Sequence, residues 1–114
     1  MPPITIICDI DGVIFLHNNN PSGEDLRTPV ETSKKLIEWQ KLGYNLILIT
    51  GRRESMRKVT EEQLTHVGIA YDQLIMGLGP GPRYLINDMK TGSFVETAIA
   101  INLKRDEGIS KVRI

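Results

Sequence analysis

The stretch Thr5-Ile6-Ile7-Cys8-Asp9-Ile10-Asp11-Gly12-Val13 decides how this chain is read. An apolar run ends in two carboxylates two residues apart, followed by a glycine. On an extended backbone with a side-chain period of two, Asp9 and Asp11 fall on the same side, so both can be aimed at one point. Like charges that close oppose joint ionisation unless a cation lies between them or one holds a proton. A nucleophile working beside a general acid–base group uses such a pair. Gly12 lets the chain turn sharply afterwards. A buried strand ending in a solvated acidic turn accounts for the same letters, and this stretch alone does not choose between the two.

The pattern of an apolar run delivering polar groups at its C-terminal end occurs again. Asn45-Leu46-Ile47-Leu48-Ile49-Thr50 runs into Gly51-Arg52-Arg53, and Arg83-Tyr84-Leu85-Ile86 runs into Asn87-Asp88. With Ile4–Cys8, Leu74–Met76 and Thr97–Leu103, these predict five strands. Between the first two, Thr28 as cap, Pro29 as first helical residue and Glu31 as partner of a capping box predict a helix to about Leu42, stopped by Gly43. A second helix is expected from Glu54 to Val67, with Met56, Val59, Thr60, Leu64 and Val67 on one face and Gly68 closing it. Residues His17 to Gly23 read as a flap, a hairpin or a surface loop, and Gly77 to Pro82 as a loop.

Strands alternating with helices imply a single α/β domain over residues 1–114, a layered, mostly parallel sheet. Such sheets bind ligands beyond the carboxyl ends of their strands. Asp9, Asp11, Thr50 and Asp88 all fall there, on three different strands, which favours a functional site over coincidence.

Composition narrows the classes. Fourteen basic residues balance fourteen acidic ones among 114, so no overall field points to nucleic acid or an anionic membrane, although a local basic patch is not excluded. The single cysteine, Cys8, rules out an intrachain disulfide and a cysteine-only metal site, and fits a reducing compartment. Without a signal-peptide pattern or a run long enough to span a bilayer, a cytoplasmic location and no membrane partner are expected.

Three carboxylates make a hard-oxygen environment suited to Mg²⁺, which shares substrate phosphate oxygens and offsets repulsion among the acids. Thr50 offers a hydroxyl, which could equally cap the following helix, and Gly51 a backbone N–H that approaches an anion closely. Arg52, Arg53 and Arg83 are cations available to a phosphoryl group, each also explicable as solvated surface.

Asp9-Ile10-Asp11-Gly12-Val13 after an apolar strand resembles the first motif of the haloacid dehalogenase (HAD) superfamily. Leu46-Ile47-Leu48-Ile49-Thr50-Gly51-Arg52 resembles its second motif and Tyr84-Leu85-Ile86-Asn87-Asp88 its fourth. The order agrees from Ile4 to Leu103. The resemblance implies a Rossmann-like three-layer sandwich and Mg²⁺-dependent phosphoryl transfer through an aspartyl phosphate. Asp9 would be the nucleophile, and Asp11 would protonate the leaving oxygen and then activate water. Thr50 would hold the phosphoryl group, with the metal on the Asp9 carboxylate, the Asp11 carbonyl and the Asp88 carboxylate.

Two departures stand out. No lysine lies between Lys58 and Lys90 where the family's third motif belongs, and Arg83 is the nearest substitute, although a guanidinium is not equivalent to an ammonium. Asp88 also lacks a second carboxylate beside it or four residues on. Neither interval between motifs leaves room for a cap domain. Capless relatives have open sites, and by analogy the expected substrate is a phosphorylated sugar or polysaccharide precursor. The alternatives are a phosphatase of nucleic-acid ends, a HAD-fold binding or assembly module with weakened catalysis, and a piece of a larger fusion. A receiver domain fits poorly, because Leu74-Ile75-Met76-Gly77 lacks the required aspartate. Apolar residues near the sheet edge are compatible with a homo-oligomer.

Overall fold

Alternating burial along short apolar segments builds the sheet. In the computed structural model, which describes residues 3–17, 28, 31–92 and 94–114, Thr5–Asp9 forms β1, Asn45–Ile49 β2 and Gln73–Ile75 β3. The strands are parallel in the order β1-β2-β3, with Ile7 opposite Ile47, Asp9 opposite Ile49 and Ile49 opposite Ile75. All three lie within a residue of the expected positions. The α/β fold class with a parallel sheet is therefore the observed one, and no cap domain is present among the described residues.

Two helices cross between these strands: α1, Thr32–Lys41, and α2, Arg57–His66, the latter preceded by a 3₁₀ turn at Glu54–Met56. Both end in the same way. Tyr44 N–H bonds the Trp39 carbonyl and Gly43 N–H that of Gln40, while Ile69 and Gly68 do the same to Leu64 and Thr65. Gly43 and Gly68 have φ of +83° and +77°, the left-handed turn that glycine adopts without a Cβ penalty. The starts differ from expectation. Helix α1 begins at Thr32 after Glu31, which has φ +61° and makes no side-chain cap. The expected first helical residue Pro29 and most of the His17–Gly23 loop lie outside the described residues. The α2 region opens with a 3₁₀ turn because Met56 N–H bonds the Arg53 carbonyl three residues back.

One face of the sheet carries the core. Cys8, Leu46, Leu48 and Leu74 pack with Leu36 and Trp39 of α1 and Leu64 of α2, so both helices cover the same side. Ile10, Ile14 and Phe15, from the turn after β1, are also fully buried there. Each such side chain contributes about 1.5–3 kcal/mol of burial. The C-terminal tail completes the core through Ile109 and is tied to α1 by Lys35 Nζ, which donates to the Ser110 and Val112 carbonyls at 3.0 and 2.6 Å. The opposite face of the sheet bears no helix among the described residues. There Ile7 is 50% and Ile75 42% exposed, so these strands bury one face only.

The fourth and fifth expected strands do not form. Residues 84–88 and 97–102 join no sheet, and the side chains of Ile86 and Phe94 are 94% and 97% exposed. Gly77 and Leu78 donate to the carbonyls of Arg52 and Thr50, which carries the chain past the end of β3. Pro80 and Pro82 lack N–H groups to continue that pairing. Arg83 Nη1 lies 3.4 Å from Asp9 Oδ2 at the carboxyl end of β1, where a strand parallel with β1 would finish rather than begin. The segment that follows projects as an arm. Within the arm, Asn87 Nδ2 donates to Thr97 Oγ1 at 2.7 Å, and Thr97 Oγ1 donates to the Asp88 carbonyl at 3.0 Å.

Candidate active site

The site sits where β1 and β2 end. Asp9 is the last residue of β1, and its Oδ1 accepts the Ile10 N–H at 3.0 Å. The chain then reverses tightly, as Val13, Ile14 and Phe15 all turn their N–H groups to the Ile10 carbonyl. Gly12, at φ +86°, makes that reversal possible; its N–H bonds the Phe15 carbonyl at 2.7 Å and its carbonyl accepts the Asp106 N–H at 2.8 Å. Asp106 also accepts the His17 N–H on Oδ1 at 2.6 Å, so the C-terminal segment braces the turn from both sides.

The two carboxylates are held by different partners. Asp11 lies beyond the strand and is clasped by Arg52, whose Nη2 reaches Oδ1 at 2.7 Å and whose Nε reaches Oδ2 at 3.1 Å. Arg52 is fixed in turn by Thr60 Oγ1 at 3.0 Å and Gln63 Oε1 at 2.6 Å, both accepting from Nη1. Its side chain is only 3% exposed, and four of its five N–H groups are used. Asp9 instead faces outward, 35% exposed, with Arg83 Nη1 at 3.4 Å from Oδ2. That contact is long and open to water, and contributes little to stability.

Thr50 connects the two layers of this arrangement. It is fully buried, donates its hydroxyl to Asp11 Oδ2 at 3.2 Å and accepts the Arg52 N–H at 3.1 Å. The expected helix cap does not form: Arg53 and Met56, which open the 3₁₀ turn and α2, make no side-chain cap, and the Thr50 hydroxyl braces the Gly51-Arg52 turn instead. Gly51 packs closely: a Cβ there would stand 3.1 Å from the Leu78 carbonyl, a tight contact that the neighbouring loop would have to relax. Cys8 is no competing nucleophile. Burial, and then the neighbouring Asp9 charge, push its thiol up to about 12, so it stays protonated at neutral pH.

Of the residues expected at the site, Asp9, Asp11, Thr50, Gly51, Arg52 and Arg83 are brought to this corner, and Asp88 is carried off on the arm. Among the described residues no three His, Cys, Asp or Glu side chains come together as a metal would need. The Asp9, Asp11 and Asp88 set for Mg²⁺ therefore does not fit within one chain as folded here. Thr60 and Gln63 were not foreseen as part of the site, since helical periodicity puts Thr60 on the core face. The available signal was their i, i+3 spacing, which places two polar groups on one side of α2.

Comparison with known proteins supports the fold. Neither a family model nor a curated protein matches the chain. Among solved structures, a chain of a Pnkp1/Rnl/Hen1 complex is 30% identical over 65% of this chain, with a TM-score of 0.58. A chain of the Pnkp1/Rnl/Hen1 RNA repair complex is 24% identical over 84%, with a TM-score of 0.57. This chain spans only 27% and 28% of those two chains. A target protein from Vibrio cholerae matches over 74% of this chain and 79% of its own length, at 17% identity and a TM-score of 0.58. The last shows that the same fold makes up most of another protein. No described helix is long and apolar enough to cross a membrane.

Proposed function

We propose that the chain is a phosphohydrolase acting on phosphate monoesters through an aspartyl phosphate on Asp9. The observation that carries this is the division of labour between the paired carboxylates. Asp9 Oδ2 is open at the end of β1 with a guanidinium beside it, while Asp11 is held by a buried arginine and the Thr50 hydroxyl. Asp9 would attack phosphorus as the bond to the leaving oxygen breaks, and Asp11 would give that oxygen its proton. Water then attacks phosphorus, passing a proton to Asp11 and releasing inorganic phosphate and free Asp9. Arg83 Nη1, 3.4 Å from Asp9 Oδ2, would supply charge-assisted hydrogen bonds to the phosphoryl group. A Mg²⁺ ion, if bound, would neutralise phosphoryl charge.

Two substrate classes follow. The absence of a cap among the described residues leaves Asp9 accessible to a bulky substrate such as a phosphorylated saccharide. The likeness to chains of an RNA repair complex supports a second, phosphorylated nucleic-acid ends. Phosphate release from sugar phosphates, end-phosphorylated oligonucleotides and an aryl phosphate, with and without Mg²⁺, tests both. Activity absent from Asp9→Asn establishes the reaction, and the panel ranks the substrates. Equal release by both proteins contradicts it, and no release by either leaves a binding or assembly module as the better account.

A further inference from the structure

The C-terminal segment meets the corner at the ends of β1 and β2 through one residue. Lys104-Arg105-Asp106-Glu107 makes a turn closed by the Glu107 N–H on the Lys104 carbonyl at 3.2 Å. Asp106 is third in that turn and has φ +67°. Glycine and asparagine suit such a position best. An aspartate tolerates it, and here both of its polar ends are directed away from the turn.

The Asp106 N–H donates to the Gly12 carbonyl at 2.8 Å, and its Oδ1 accepts the His17 N–H at 2.6 Å, 89 residues back along the chain. Gly12 and His17 bracket the reversal that follows Asp11. The bonds inside that reversal, to the Ile10 and Phe15 carbonyls, close it upon itself. Asp106 ties its two ends to the rest of the molecule. The tie has a firm base, because Ile109, three residues on, is buried in the core and Lys35 of α1 holds the Ser110 and Val112 carbonyls.

Two separate devices therefore act on Asp11. Arg52 and Thr50 orient its side chain, as described above. Its backbone stands where the Gly12 peptide puts it, and the Gly12 carbonyl is the one that Asp106 holds. Asp106 itself is exposed, so removing its carboxylate empties no part of the core.

We propose that Asp106 is a positioning residue, which sets the backbone from which Asp11 reaches the leaving oxygen. This rests on the phosphatase reading, and the Asp106 carboxylate touches no reacting atom. A misplacement of about 1 Å can cost on the order of 10²-fold in rate. The cost falls on proton donation, so it depends on the leaving group. A phenolate needs the proton as it departs, whereas a nitrophenolate leaves without it.

The test compares kcat/KM on phenyl phosphate and p-nitrophenyl phosphate, two esters that differ by one nitro group. Asp106→Gly deletes the carboxylate and keeps the turn, since glycine takes a positive φ freely. It is expected to lose about 10-fold or more on the phenyl ester and less than about threefold on the nitrophenyl ester. Asp106→Asn, which keeps an oxygen for the His17 N–H, should restore the phenyl ester to within about threefold of wild type. Equal losses on both esters, or no loss on either, overturn the proposal. An Asp11→Asn chain that does not discriminate between the esters sinks the acid–base role of Asp11 instead. Amide hydrogen exchange reads the anchor without activity: His17 should exchange faster in Asp106→Gly and be slow again in Asp106→Asn. Unchanged exchange at His17 overturns the anchor. A wild-type chain that releases no phosphate sinks the phosphatase reading, and the positioning role with it, even where the exchange data show the brace itself.

Discussion

Asp9 and Asp11 stand two residues apart and each meets an arginine, yet the two pairs differ in kind. The Arg52–Asp11 pair is buried, two-pronged and anchored onward to Thr60 and Gln63. The Arg83–Asp9 pair is one long contact between half-exposed groups. A carboxylate in the first setting is oriented by the fold, and breaking its pair leaves buried donors or acceptors unmet. A carboxylate in the second can exchange its partner for a ligand at little cost. The difference divides the corner into a fixed group and an available one, which is what the roles proposed for Asp11 and Asp9 need.

Substitutions can break this contrast. The largest effect is expected from Asp9→Asn, which should abolish phosphate release while changing stability by less than about 0.5 kcal/mol, as checked by activity and thermal melts. Next is Arg52→Ala. Removing the buried fork should cost about 2–3 kcal/mol in denaturant unfolding. Arg52→Lys should recover only part of this, because an ammonium cannot make the two-pronged contact. Arg83→Ala should weaken phosphate affinity but move stability by no more than about 0.5 kcal/mol. If Arg52→Ala and Arg83→Ala destabilise equally, the contrast is wrong.

The smallest expected effect concerns Cys8. Its folded thiol titrates near 12 whereas the unfolded one titrates near its ordinary value of 9.0. Below 9 both states keep the proton and nothing changes. Between 9 and 12 the unfolded chain loses a proton that the folded chain retains, so stability falls as pH rises. Melts at pH 8 and pH 10 should therefore separate more for wild type than for Cys8→Ala. Thiol reagents at pH 8 should label Cys8 only after unfolding.

How much of this was legible in the sequence follows from the range of the forces involved. The three strands were readable because short apolar runs report burial locally, and Gly43 and Gly68 marked helix ends because a left-handed turn is a property of one residue. The start of α1 was less so, since the local capping pattern around Thr28 and Glu31 is not what holds Thr32 at the head of the helix. The role of Arg52 was hidden because it depends on the facing side of α2, where Thr60 and Gln63 wait eight and eleven residues further on. The arm was misjudged for another reason. Tyr84–Asp88 has the composition of a strand, but a strand also needs a backbone to pair with, and residues 84–88 join no sheet. Composition reports what a segment can pair with, and topology decides where.

The most direct test of the central claim is to quench the protein in acid during incubation with an aryl phosphate, reduce it with borohydride and map the modified residue by peptide mass spectrometry. Borohydride converts an aspartyl phosphate to homoserine. The account predicts homoserine at position 9 and nowhere else, lost when substrate is omitted. Phosphate release with Asp9 unmodified throughout would contradict it.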